Sequence, residues 1–165
     1  EAKLKNEQVI DFIRAVSPAI YRIFMRLIKL EIPDIESYIH NSREASYDRW
    51  NFDKMKNTGH PILSTFHAES PVHSSSLASL ILLLDLPEQV KIMVKELRKL
   101  EKSVRNPLAH LIKHFDGEEL HSTTGFSSQF FMEILILLAK ATGITYDEEQ
   151  FFFDRVNQVI KTLID

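Results

Sequence analysis

The stretch Ser103-Val104-Arg105-Asn106-Pro107-Leu108-Ala109-His110-Leu111-Ile112-Lys113-His114 organises the reading of the whole chain. Arg105 is followed at once by an amide, Asn106, and five positions on by His110, with Pro107 between them. On an unbroken helix five residues turn through roughly 500°, which leaves the two positions about 140° apart around the axis. Proline, however, has no donor for the carbonyl four residues back and biases the preceding residue away from helical geometry. The sequence therefore predicts a break, with Asn106 as N-cap and Pro107 as the first residue of a new helix. Arg105 would then end one segment while His110 sits a turn into the next, and both would face one junction. The start of the second helix would add free backbone N–H groups and a positive dipole end, which attract an anion and keep a nearby imidazole neutral.

These residue types suit phosphodiester chemistry. A guanidinium holds a phosphate through a fork of donors at any pH, an imidazole moves protons near pH 7, and an amide orients either partner. The bare Arg-x4-His spacing carries little weight in a chain with eight Arg and seven His. What adds weight is the amide directly after Arg and the proline-marked junction behind a basic helix.

At these residues the sequence resembles the HEPN ribonuclease superfamily, whose signature is Arg, a polar residue, a few more residues and then His on an all-helical domain. The string Arg105-Asn106-Pro107-Leu108-Ala109-His110 is most similar to the C-terminal nuclease domain of type III-A CRISPR accessory ribonucleases of the Csm class. The resemblance implies an all-α helical bundle paired as a symmetric homodimer, with a composite site that cuts single-stranded RNA without a metal or other cofactor. It also implies control by cyclic oligoadenylate through a separate CARF sensor domain. Residues 1–165 show no such second domain, and they begin inside a helical pattern, so the expectation is one HEPN-like domain, a fragment lacking its N-terminal CARF part.

Working upstream, Pro87 to Val104 reads as a helix with Val90, Met93, Val94, Leu97, Leu100 and Val104 inward, started by Asp85-Leu86-Pro87-Glu88. From 91 to 113 the chain has seven basic and two acidic side chains. Such a face is either simply solvated or draws an RNA backbone towards Arg105. Arg98, Lys99, Lys102, Lys113 and His114 are the candidate RNA-binding residues. Leu77 to Leu84 is apolar nearly all round and must be buried centrally or between subunits.

Residues 3 to 30 form one long pattern with Val9, Ile10, Phe12, Ile13, Val16, Ile20, Ile23, Phe24, Leu27 and Ile28 on an apolar face, which Pro18 should kink or split. Asp34 is a fair cap for a short helix to Tyr38 or His40. Periodicity fades from Asn41 to Ser76, where irregular structure is expected with one helix near Ala45 to Lys56. Tyr47, Trp50, Phe52 and Phe66 serve there as core anchors or as stacking platforms for bases. Downstream, Asp116-Gly117-Glu118-Glu119 reads as an acidic turn and Leu120 to Gly125 as a loop. Phe126 to Ala141 is apolar enough to be a core helix or part of a dimer interface. Gly143 stops it, and Thr145 to Glu148 reads as a capping box for a last helix to about Leu163.

Composition bounds the remaining classes. At 165 residues the chain suits one domain with a sizeable core. The absence of cysteine removes disulfides, thiolate metal sites and a cysteine nucleophile, and fits a cytoplasmic location. No apolar run reaches membrane-spanning length and no signal peptide is evident. A net charge of −3 argues against a general nucleic-acid coat protein. His110 and His114, four apart, invite a zinc reading, but two ligands are too few and Leu111 stands where the catalytic pattern needs Glu. A second reading is a non-catalytic HEPN-like dimerising or nucleic-acid-binding module, such as a toxin-antitoxin component, in which Arg105 and His110 form only a satisfied polar pair.

Overall fold

Helix α1, Val9–Glu31, buries Phe12, Val16, Ile20, Phe24, Leu27 and Ile28 along one face, the spacing of threes and fours that an amphipathic helix requires. The computed structural model describes residues 9–40, 48–110, 117–146 and 161–162, with the backbone course alone for 104–110. Pro18 lies inside α1 and does not split it. The missing hydrogen bond and the ring clash cost about 3 kcal/mol. That is comparable with burying one or two of the large side chains just named, at about 1.5–3 kcal/mol each. Pro18 also sits on the exposed side, so the packed face is undisturbed.

Downstream come a 3-10 turn at Ile35–Tyr38, strand β1 at Ile39–His40 and strand β2 at Arg49–Trp50. They are followed by helices α2 (Phe52–Lys56), α3 (Pro61–Thr65), α4 (Ser74–Leu83), α5 (Glu88–His110), α6 (Gly117–Thr124) and α7 (Ser128–Ala141). The described residues are mostly helical. α4 is the middle of the packing: α1 lies along one side of it and α5 along another, while α7 packs on both α5 and α1. Phe12 of α1 meets Phe131 of α7 edge to face, ring centroids 5.9 Å apart. Leu77, Leu80 and Ile81 are fully enclosed, as the all-round apolar pattern requires, although Leu83 emerges 55% exposed.

The segment before α4 is more ordered than its composition suggests. β1 and β2 pair antiparallel, Ile39 opposite Trp50 and His40 opposite Arg49. The other edge of β2 is taken by residues 70–72: Trp50 N–H donates to the Ser70 carbonyl and Val72 N–H to the Asp48 carbonyl. Strands of two residues leave no alternation to detect, and the bonds to Ser70 and from Val72 reach twenty or more residues along the chain. Helix α2 begins at Phe52, capped by Asn51, so the expected helix over Ala45 to Lys56 is shorter where it is described. α3 was not expected. His60 caps it, its Nδ1 accepting from Leu63 N–H, with Pro61 at the first position. Trp50 and Phe66 are core anchors, in edge-to-face contact at 5.6 Å, and Phe52 packs against the same core. Tyr47 lies outside the described residues.

Four further expectations are corrected or bounded. α5 begins at Glu88, the Pro87 carbonyl accepting from Val90 and Lys91 N–H, so Pro87 precedes the first turn. α5 also continues through Asn106 and Pro107 to His110 with no break, so Asn106 is not an N-cap. One lost bond at Pro107 is outweighed by a rod already fixed along its length by α4, α6 and α7. Of the expected acidic turn and loop, residues 117–124 are instead helix α6, while Asp116 lies outside the described residues: Glu118 in its first turn suits the dipole, and Leu120 is fully buried. α7 stops as expected. Gly143 takes φ 81°, its N–H donating to the Lys140 carbonyl while Ile144 N–H reaches the Ala139 carbonyl, a Schellman ending. The capping box at Thr145 to Glu148 and most of the last helix lie outside the described residues.

Trp50, 3% exposed, donates from Nε1 to Ser76 Oγ at 3.1 Å inside the core. Replacing Ser76 by Ala leaves that donor unsatisfied in apolar surroundings. S76A should lose about 1–3 kcal/mol of unfolding free energy, measured by urea denaturation followed through the fluorescence of this sole tryptophan.

Candidate active site

Arg105, Asn106 and His110 all lie on the backbone of α5, in its last described turns. Five positions on a continuous helix rise about 7.5 Å and turn their Cα atoms about 140° apart, in place of the expected shared junction. The free N–H groups and dipole that a new helix start would have offered are therefore not there.

One turn before Arg105, α5 carries a built polar cluster. Glu101 is 8% exposed, and its two oxygens are both engaged, Oε1 accepting from Ser74 Oγ at 2.8 Å and Oε2 from the Arg98 guanidinium. Arg98 also donates to Ser74 Oγ at 2.8 Å. Three groups, two from α5 and one from the first turn of α4, thus close on one another. Arg98, expected among the RNA-binding cations, pairs with Glu101, three residues on. The i,i+3 spacing of these two was legible in the sequence. Ser74, 27 residues upstream of Glu101, gave no signal.

The other candidates divide. Lys99 is exposed and lies 3.6 Å from Glu96, and Lys102 is exposed on the same helix. Lys95 sits 3.9 Å from Glu88. An exposed pair of this kind stabilises little and leaves the cation accessible. Lys113 and His114 lie outside the described residues. Among the described residues no three His, Asp or Glu side chains come together as a metal site.

Beside Glu101 a small open cavity of about 190 Å³ is lined by Ser17, Tyr21, Val72, His73, Ser74 and Glu101. Ser17, Tyr21, Val72 and Ser74 gave no signal in the sequence. Ser76 Oγ accepts from His73 N–H at 3.1 Å and so ties down the start of α4, where a histidine followed by three serines could have suggested a helix cap. The Tyr21 hydroxyl is held above its ordinary pKa, first by burial and then by the Asp48 and Glu36 carboxylates.

A predominantly helical domain with an Arg, a polar residue and a His on one helix fits the HEPN class of fold. The model of the Cas_Csm6 HEPN domain matches residues 1–161. The chain belongs to that family, the HEPN domains of Csm6-type accessory ribonucleases of type III CRISPR systems. No curated protein matches it. No helix among the described residues is long and apolar enough to cross a membrane.

Two outcomes follow from this geometry. E101Q keeps the shape but removes the charge facing Arg98, and should lower unfolding free energy by about 2 kcal/mol in chemical denaturation. Because the Tyr21 pKa is higher folded than unfolded, its contribution to stability is complete below the unfolded value near 10 and is lost as pH rises through the folded one. Y21F should therefore flatten the fall in melting temperature above pH 10, read by calorimetry at stepped alkaline pH.

Proposed function

We propose that this CRISPR-associated HEPN domain is an endoribonuclease that cuts single-stranded RNA without a metal, through a site shared by two copies of the chain. Family membership carries the reading, supported by Arg105, Asn106 and His110 standing where the family signature has its Arg, polar residue and His. Cleavage without a metal requires removal of a proton from the 2′-hydroxyl and delivery of one to the departing 5′-oxygen. Two imidazoles, one from each copy, divide those tasks about a twofold axis. The course of α5 supports sharing. Positions about 140° apart on one rod are poorly placed to meet at one phosphate from a single copy, whereas two rods side by side bring the Arg position of one near the His position of the other.

In this reading the 2′-oxygen attacks phosphorus and the bond to the 5′-oxygen breaks, leaving a 2′,3′-cyclic phosphate and a 5′-hydroxyl. His110 takes or gives the proton, Arg105 stabilises the charge developing on the phosphorane oxygens, and Asn106 positions the phosphate. Lys99, Lys102, Lys113 and His114 draw the strand in, while Arg98 acts indirectly by fixing Glu101 against α4. Control by cyclic oligoadenylate, through a CARF sensor domain of the longer protein, belongs to the same proposal. Two exposed apolar residues on α7, Phe130 and Leu137, lie seven apart and so on one face, which a second copy would cover.

Fluorescent single-stranded RNA incubated with the chain in EDTA should be cut, with R105A and H110A slower by at least about 100-fold and DNA of the same sequence intact. Equal cutting by wild type and both variants would overturn the assignment. In light scattering the chain should show twice its monomer mass of 19.2 kDa. A strict monomer that still cuts would remove the shared site.

A further inference from the structure

A groove of about 470 Å³ runs along α1, lined from that helix by Tyr21, Arg22, Met25, Arg26 and Lys29. Arg22, Arg26 and Lys29 line it at spacings of four and three, so that they follow one stripe of the helix. Lys29 is paired with Glu36 at 2.8 Å. Arg22 and Arg26 are exposed, and neither has an ion pair with any described residue. Two accessible guanidiniums about 6 Å apart along an axis form a ladder that an extended phosphodiester backbone can follow. Asp48 lines the same groove with a carboxylate. For a bare polyanion that group would be a defect. For RNA it is an acceptor for a ribose 2′-hydroxyl or a base amino group.

The groove has a neighbour. Tyr21 forms part of its wall and part of the wall of the smaller cavity lined by Ser74 and Glu101. Glu101 lies four residues, one helical turn, before Arg105 on α5. We propose that the α1 groove is a binding track for single-stranded RNA flanking the scissile linkage, with Arg22 and Arg26 on successive phosphates and Tyr21 marking the passage towards α5. This deepens the ribonuclease reading and rests on it for the position of the scissile bond, but the track is tested by binding alone.

The measurement is fluorescence anisotropy of a short labelled single-stranded RNA in EDTA, titrated with the chain at several salt concentrations. The parent is the H110A variant, so that binding is read without cutting. Neutralising both cations in R22A/R26A should weaken binding by about tenfold at moderate salt and make the plot of log affinity against log salt shallower by about 1.4, two phosphates at about 0.7 each. K56A, which removes an exposed cation elsewhere, should change neither. Circular dichroism should find the double variant as helical as its parent, since both side chains are exposed. Unchanged affinity and salt slope in R22A/R26A would overturn the track, as would a parent that binds no RNA. A double variant that binds RNA as before but changes the solution mass would also overturn it, by making the stripe a contact between proteins. A wild-type chain that binds RNA through these arginines yet never cuts it would sink the nuclease reading and leave the track standing.

Discussion

The constraint on which the structure depends is the wide apolar face of α4. Leu77, Ala78, Leu80 and Ile81 are buried within little more than one turn, while Ser79 and Leu83 stay open, so the helix holds only with that face covered. α1 and α5 supply two of its walls, and their own apolar stripes are satisfied by the same contact. Each of these elements is therefore unstable without the others. Burial at about 25 cal/mol per Å² is non-directional, however, and fixes neither the register nor the rotation of one helix on another.

Direction comes from the first turn of α4, whose serines are polar in an otherwise apolar element. Ser76 accepts from the Trp50 indole and from the His73 backbone, which locks the short strands and the segment at 70–72 to the helix start. Ser74 meets Glu101 and Arg98, which locks α5. Among the described residues no buried side-chain polar atom lacks a partner. Polar groups satisfied so fully tolerate little sliding, because a shift of one residue would leave a carboxylate or an indole N–H unpaired in low dielectric. The clamp lies one turn before Arg105, so the part of α5 that carries the family signature extends from a fixed point.

How far the sequence disclosed this follows from the range of each interaction. The long helices α1, α5 and α7 were legible because their apolar spacing is local, and the stop at Gly143 because a left-handed residue has a local signature. Pro18 and Pro107 misled for the converse reason: proline reports a local penalty of fixed size, while the burial that outweighs it comes from residues distant in sequence. The strands at 39–40 and 49–50 are too short for a period, and their second partner is at 70–72. α6 was hidden by acidic residues that look like a turn until its buried Leu120 is seen. At the candidate site the identities of Arg105, Asn106 and His110 could be read, whereas the commitment of Arg98 to Glu101 and Ser74 could not. The stripe of Arg22, Arg26 and Lys29 is legible at steps of four and three residues, whereas the groove it lines depends on Glu36, Ile39 and Asp48 further along the chain.

The unbroken course of α5 changes what kind of device the domain can be. Had the helix broken at Pro107, one copy could have gathered its cation and its imidazole at a single junction, with helix-end N–H groups to help, and pairing would have been an embellishment. On a continuous rod those N–H groups are consumed by the helix itself, and the two positions diverge by about 140°. Under the proposed mechanism a single copy would then offer half a site on each of two flanks. Activity that needs both halves at one phosphate becomes dependent on how two rods lie against each other, a geometry that small rotations between copies alter strongly. Regulation by a domain outside residues 1–165 would need only to turn one α5 against the other. It need not unfold or remodel a helix that the Arg98, Glu101 and Ser74 clamp holds rigid.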